Sequence, residues 1–510
     1  MKHWHALLAL IVLLTLARIA TTHRVFSQTF DEPYHLIAGY DVLVNGNYRT
    51  DPPHPPLRAL FALPFLDTPS PAGTDVLARG NALLLRNERY TQNIARARLG
   101  NLLFVAIGII VVAAWARRLL SPKAGLVAAA LYASLPPVLA HGGLATTDMA
   151  SAATLPLALF ALDVFLERST WRNTTLLGLA MAAGMLSKYS FLLFFPVCAA
   201  ILFVIRRRFP AARIAVATLI TALVVWAAYG FAFETMQSAD PRSRDMAREV
   251  FGSSWIADVP VPAPMLAVGV LEVKRHDLHG HRAFLLGEHS DEGWWYYFPV
   301  ALFYKTPIPF LLLALIGGAL LARRAPEVVL IALAILGLVM TSSINIGVRH
   351  VLPIYAPLAI AAAAAVMRMK WTGIALAAWL VVGSALAHPD YLPWFNAFAG
   401  NQPERILADS NLDWGQDALR LARYARQEKL PHITTSLLGT TPLDQIGLPP
   451  RTELRVFEPL HGWVAISEGH LILGRALDPK IAQWLDREFG PKTYRRIGKT
   501  IRLYHFPPMV

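Results

Sequence analysis

The chain has 510 residues, of which 55% are hydrophobic and only 16% charged, and a mean hydropathy of +0.43 excludes a pair of ordinary water-soluble domains of this length. The formal net charge of +13 would point to nucleic acid in a soluble chain, but here the basic residues have first to be set against membrane topology. A single cysteine, Cys198, lies inside the apolar run 191–204, which excludes an intramolecular disulfide and a structural zinc site of cysteines; it reads as a small buried apolar residue rather than a reactive thiol.

A bilayer core about 30 Å thick calls for roughly 20 apolar residues per crossing helix. Eleven runs answer to that description, at 6–20, 99–116, 124–140, 150–166, 174–187, 191–205, 214–233, 298–322, 328–341, 350–366 and 373–387. The first is read as an uncleaved helix, because no clear small-residue cleavage site separates it from the next segment and more helices follow. With the amino terminus cytoplasmic, alternate connections carry Arg117, Arg118 and Lys123, then Arg168 and Arg172, then Arg206, Arg207, Arg208 and Arg213, then Arg323 and Arg324, then Arg368 and Lys370. The opposite turns carry chiefly Lys188 and Arg349. This asymmetry follows the positive-inside rule and accounts for much of the basic excess without nucleic acid.

The same topology places three features outside: long loops near 22–98 and 234–297, and the chain after His388. The expected organisation is a transmembrane domain over 1–390 and a soluble extracytoplasmic domain over 391–510. That second domain reads as a small α/β unit, with Asp409-Ser410-Asn411-Leu412-Asp413-Trp414-Gly415-Gln416-Asp417 opening an amphipathic helix through Gln427 and a strand over 500–506. No internal repeat is evident, which weighs against a transporter built from two related halves.

Candidate chemistry gathers on the outer side. Asp31-Glu32 stands just after the first helix, where two carboxylates suit proton removal from an acceptor hydroxyl, or simply complement the dipole of a helix start. Asp51-Pro52-Pro53-His54-Pro55-Pro56-Leu57 is a stiff strap able to hold His54 in place, or a Pro-rich linker with a solvated histidine. Thr147-Asp148 puts a carboxylate at the head of the fourth helix, as a cap or facing Asp31. Lys188 is a cation on a cation-poor side, suited to a leaving phosphate or to snorkelling. Arg349-His350 adds a guanidinium, the best side chain for a phosphate. In the second loop, His276, His279, His281, Glu288 and His289 match no established zinc spacing, and a divalent cation is left open. Trp294 and Tyr296 belong to an aromatic interfacial belt that could also stack on a sugar ring.

Together these motifs resemble the protein O-mannosyltransferase family, glycosyltransferase family 39 in the broad sense, with its bacterial relatives that include the aminoarabinose transferases of lipid A. The resemblance implies a polytopic α-helical membrane protein of the C-type glycosyltransferase fold, in the inner (plasma) membrane, that moves a sugar from a polyprenyl-phosphate donor to a lipid, glycan or protein acceptor with inversion. It implies Asp31 as general base, Glu32 orienting acceptor or carrier, and Asp148 as a second acidic group. His54, in place of the lysine of aminoarabinose transferases, would contact the donor phosphate, and Lys188, Arg349 and His350 would stabilise it on leaving; Glu288, Trp294 and Tyr296 are loop candidates. No extra luminal β-trefoil domain is seen, which puts a protein acceptor in doubt. A lipid or solute transporter and a non-catalytic assembly subunit are the rival classes; charges gathered at the outer mouth rather than at mid-bilayer depth favour the enzyme.

Overall fold

The computed structural model describes residues 3–490 and 492–507. Each apolar run falls largely on helix. Among the described residues, four helices are long and apolar enough to cross a membrane: Tyr90–Leu119, Asp148–Glu167, Ala211–Ala228 and Val348–Met369. Two bent pairs, Pro122–Ala133 with Pro136–Gly142 and Tyr297–Lys305 with Ile308–Leu321, raise the number to six, and shorter apolar helices such as Trp4–Ala20, Phe191–Arg206, Pro326–Val339 and Trp371–Leu386 pack with them. The chain is a polytopic helical membrane protein. The bends of 67° and 118° fall where Leu135 and Thr306 precede a proline, which disfavours helical geometry at the residue before it and removes a backbone donor.

Small residues set how closely the helices approach, as expected where lipid supplies no hydrophobic drive between helices. A Cβ on Gly317 would lie 1.7 Å from the Ala361 carbonyl oxygen, one on Gly125 2.6 Å from that of Ala113, and one on Gly178 2.7 Å from that of Ala217. Thr221 then donates its hydroxyl to the Gly178 carbonyl at 3.0 Å. At the end of the bundle that carries the basic connections, buried Asp163 accepts from Arg118 at 3.0 Å and Arg206 at 2.6 Å, and Arg206 also reaches Glu327 at 2.9 Å. Asp148 and Asp163 are separated by about 22 Å along one helix, at 1.5 Å per residue. The two charge clusters therefore sit at opposite ends of the bundle.

The helix Tyr90–Leu119 starts well before the apolar run at 99, because its first turns project beyond the bundle and bury Asn93 and Arg98 against the first loop. That loop holds the helices Glu32–Asn45 and Val76–Leu85. After Trp371–Leu386 the chain returns across the bundle mouth, and buried Lys305 clamps it by donating to the carbonyls of Leu392 at 2.8 Å, Trp394 at 2.5 Å and Asn411 at 2.7 Å. Packing with the bundle continues through Leu407 and Trp414, so the change in character does not come at 391. Asp409–Asp417 is a loop with a short 3-10 turn at Asp409–Asn411, and the amphipathic helix is Ala418–Gln427. Beyond it lies a five-stranded sheet in the order Arg451–Glu453, Ile433–Ser436, Gly462–Ser467, Ile501–Phe506, Arg495–Ile497. The first two pairings are parallel and the last two antiparallel.

Candidate active site

Four helix ends converge on one charged cluster. Asp31 sits at the N-cap position of Glu32–Asn45, Asp148 opens Asp148–Glu167, Lys188 closes Trp171–Ser187, and Arg349 lies in the 3-10 turn Val348–Ile354 that leads into Tyr355–Met369. Arg349 Nη1 donates to Asp31 Oδ2 at 2.8 Å and lies 3.9 Å from Asp148 Oδ2. Lys188 Nζ donates to Asp148 Oδ1 at 2.6 Å, and Thr146 Oγ1 to Asp148 Oδ2 at 3.2 Å. Arg349 Nε is buried with no partner among the described residues, so its guanidinium keeps unspent donor capacity for an anion. His350 lies beside this group, half-buried, and its buried Nε2 likewise has no partner among the described residues.

The two acidic groups of the cluster differ in access: the Asp31 side chain is 26% exposed and that of Asp148 2%. Asp148 is enclosed by its two cations, Lys188 and Arg349. Glu32 departs further from its expected role. Its side chain is fully buried and accepts from Arg98 Nε at 2.8 Å and Nη2 at 2.7 Å, and from the backbone amides of Ala145 and Thr29, each at 2.8 Å. Burial pushes its carboxyl up, but the Arg98 charge and these hydrogen bonds together outweigh burial and hold it below the usual carboxylate range. With its oxygens so occupied, Glu32 ties the first loop to the turn ahead of Asp148 and has nothing left for an acceptor or a carrier.

His54 belongs to a neighbouring group. Its Nδ1 lies 3.1 Å from Asp51 Oδ2, which also takes Arg58 Nη1, and its ring meets His35 edge to face at 4.5 Å. His35 is one helical turn beyond Asp31 and donates its amide to the Asp31 carbonyl at 3.1 Å, so the two groups share a helix face. Of the loop candidates, Glu288 is exposed on the hairpin Ala283–Leu285/Glu288–Ser290 and reaches none of the cluster among the described residues. Trp294 and Tyr296 are partly buried against the bundle core, and the Trp294 backbone amide donates to Asn345 Oδ1 at 2.7 Å.

Sequence reasoning missed what the tail supplies. Trp414 lies under Arg349, with the guanidinium 4.3 Å from the ring centroid, and Asp409 faces the same arginine. Burial raises the Asp409 carboxyl against the pull of Arg349, and its backbone is held at a φ of 54°, a strained position for a residue with a side chain. Gly347 makes the approach possible, since a Cβ there would meet Ser410 Oγ at 2.2 Å. The one signal was the density of Asp, Asn, Trp and Gly between 409 and 417, which also describes a plain turn.

Residues 90–231 match the family described as dolichyl-phosphate-mannose-protein mannosyltransferase. The matched stretch includes Asp148 and Lys188. The solved structure of ArnT from Cupriavidus metallidurans bound to undecaprenyl phosphate is 13% identical, covers 97% of each chain and superposes with a TM-score of 0.54, and its apo state with 0.53. The chain shares its fold with ArnT. An Archaeoglobus fulgidus oligosaccharyltransferase, 14% identical, is matched over 96% of this chain and 68% of its own with a TM-score of 0.45. No curated protein matches. Family match and shared fold agree with the resemblance carried by the motifs.

Proposed function

We propose that the protein is a membrane glycosyltransferase that moves a sugar from a polyprenyl-phosphate donor to an acceptor hydroxyl on the outer face of the inner (plasma) membrane, with inversion and with Asp31 as general base. The observation that carries this reading is the meeting of Asp31, Asp148, Lys188 and Arg349, drawn from separate helix ends into contacts of 2.6–3.9 Å. The ArnT structure, which holds undecaprenyl phosphate on the same fold, and the family match support it.

The geometry suggests an order of events. Without donor, Arg349 occupies the Asp31 carboxylate through Oδ2. A donor phosphate competes for Arg349 through the same donors, with Lys188 as a second cation, and this exchange releases the Asp31 carboxylate toward the acceptor hydroxyl. As the hydroxyl oxygen attacks the anomeric carbon, its proton passes to Asp31 and the bond to phosphate oxygen breaks. The charge left on the phosphate falls to Arg349 and Lys188, preorganised in a mostly buried site where such stabilisation is greatest. Asp148 holds the two cations in register throughout.

The test is release of free polyprenyl phosphate from a panel of polyprenyl-phosphate sugars with membrane extract as acceptor. Wild type should release it from one donor, and Asp31→Asn should be slower by about 10²–10⁴-fold, the usual weight of a general base. Equal release by both proteins would remove Asp31 from the chemistry; translocation of labelled lipid without release would replace the transferase by a transporter.

A further inference from the structure

We propose that His35, Asp51 and His54 bind a divalent first-row metal ion, zinc by the character of the donors, beside the Asp31 cluster. One ligand atom from each lies within 4.8 Å of the others. Tetrahedral zinc with bonds near 2.0–2.1 Å sets its ligands about 3.3 Å apart, so the empty set stands wider than a filled one by about 1.5 Å or less. The two imidazoles meet edge to face, with ring planes at 84°.

His35 Nδ1 is buried without a partner among the described residues, and an orphaned buried ring nitrogen is a cost that a bound ion removes. The chain around these residues is built to hold them still. His35 is on a helix, and Asp51 and His54 are fixed by the proline strap that runs into the 3-10 turn Pro56–Phe61. Two imidazoles and a carboxylate form a borderline donor set suited to zinc; magnesium and calcium take oxygen ligands.

Arg58 is the counter-argument within the structure, because it pairs with Asp51 through Oδ2 and the backbone carbonyl. It leaves the other carboxylate oxygen to an ion, and a ligating carboxylate is commonly oriented by such an outer partner. A further carboxylate, Glu272 of the helix Pro264–His279, stands nearby: it pairs with Arg242 through Oε1 at 3.6 Å, its Oε2 is buried and unpartnered among the described residues, and it lines with Pro53 a cavity of about 290 Å³. Three protein ligands leave one position open.

Ion binding is measured without donor or acceptor, so its failure leaves the transferase reading standing. Full-length protein in detergent is loaded with Zn²⁺, freed of excess by desalting and assayed for metal by mass spectrometry, with Co²⁺ absorption to report tetrahedral nitrogen and oxygen ligands. Wild type should retain about one ion per chain. His54→Gln and Asp51→Asn, which keep size and are checked for monodispersity, should bind at least tenfold more weakly, while His279→Ala should bind as wild type. Less than stoichiometric zinc in the loaded wild type would overturn the proposal. So would retention in both strap variants, or loss on His276→Ala alone, since His276 Nε2 and His281 Nδ1 also stand 3.2 Å apart in the second loop.

Discussion

Asp31 and Glu32 are adjacent carboxylates with opposite surroundings. Asp31 has one guanidinium partner and an open side, whereas Glu32 has donors on both oxygens and no exposure. Substitutions should therefore separate chemistry from stability. Asp31→Asn should leave thermal unfolding close to wild type while slowing transfer by about 10²–10⁴-fold. Glu32→Gln leaves the Arg98 charge buried with a neutral partner and should cost about 3–5 kcal/mol, read as a lower unfolding midpoint in detergent. If Glu32→Gln unfolds like wild type but fails in transfer, the assignment of Glu32 to scaffold is wrong. Alone in a sequence the two residues look alike, because what separates them is Arg98 and the Ala145 amide, contributed from 66 and 113 positions away.

Helix contacts at small residues make a second, independent set of expectations. Gly317 and Gly318 are neighbours on one helix, but a Cβ at 317 strikes the Ala361 carbonyl whereas one at 318 meets nothing within 4 Å. Gly318→Ala should be neutral or stabilising by up to about 1 kcal/mol, the helix preference of alanine over glycine. Gly317→Leu should destabilise by at least about 1–3 kcal/mol, because the helices Ile308–Leu321 and Tyr355–Met369 must separate to admit it. Thermal unfolding of both variants in one detergent checks the pair, and equal midpoints would contradict the packing described. The apolar runs were legible as helices from period and length, but which face of each one meets a neighbour was not, since lipid-facing and helix-facing positions are both apolar.

Across the whole molecule, burial has shifted ionisable groups of the tail. Asp413 accepts from the Gly469 amide at 2.8 Å and the Gly415 amide at 3.2 Å, and burial raises its carboxyl to about 7 against those donors. A raised carboxyl means that the folded chain holds a proton the unfolded chain gives up. Its contribution to stability is whole below about pH 4, declines as the pH rises, and is gone above about pH 7. Asp413→Asn carries no such charge, so the midpoint of the variant minus that of wild type should increase between pH 4 and pH 8. A difference that stays flat across that range would show that Asp413 is not buried as described.

Composition and run length by themselves determined that this is a helical membrane protein with its basic residues toward one side, because apolarity over a bilayer's width and the placement of lysine and arginine are local properties of a chain. Motif order also marked Asp31, Asp148, Lys188 and Arg349. Only the tertiary structure decided that Asp31 is the accessible carboxylate, that Glu32 and Asp148 are buried, and that Asp409 and Trp414 return from the tail to meet Arg349. Those assignments depend on burial and on partners hundreds of residues apart, and in a low-dielectric site the partner determines what a charge can do.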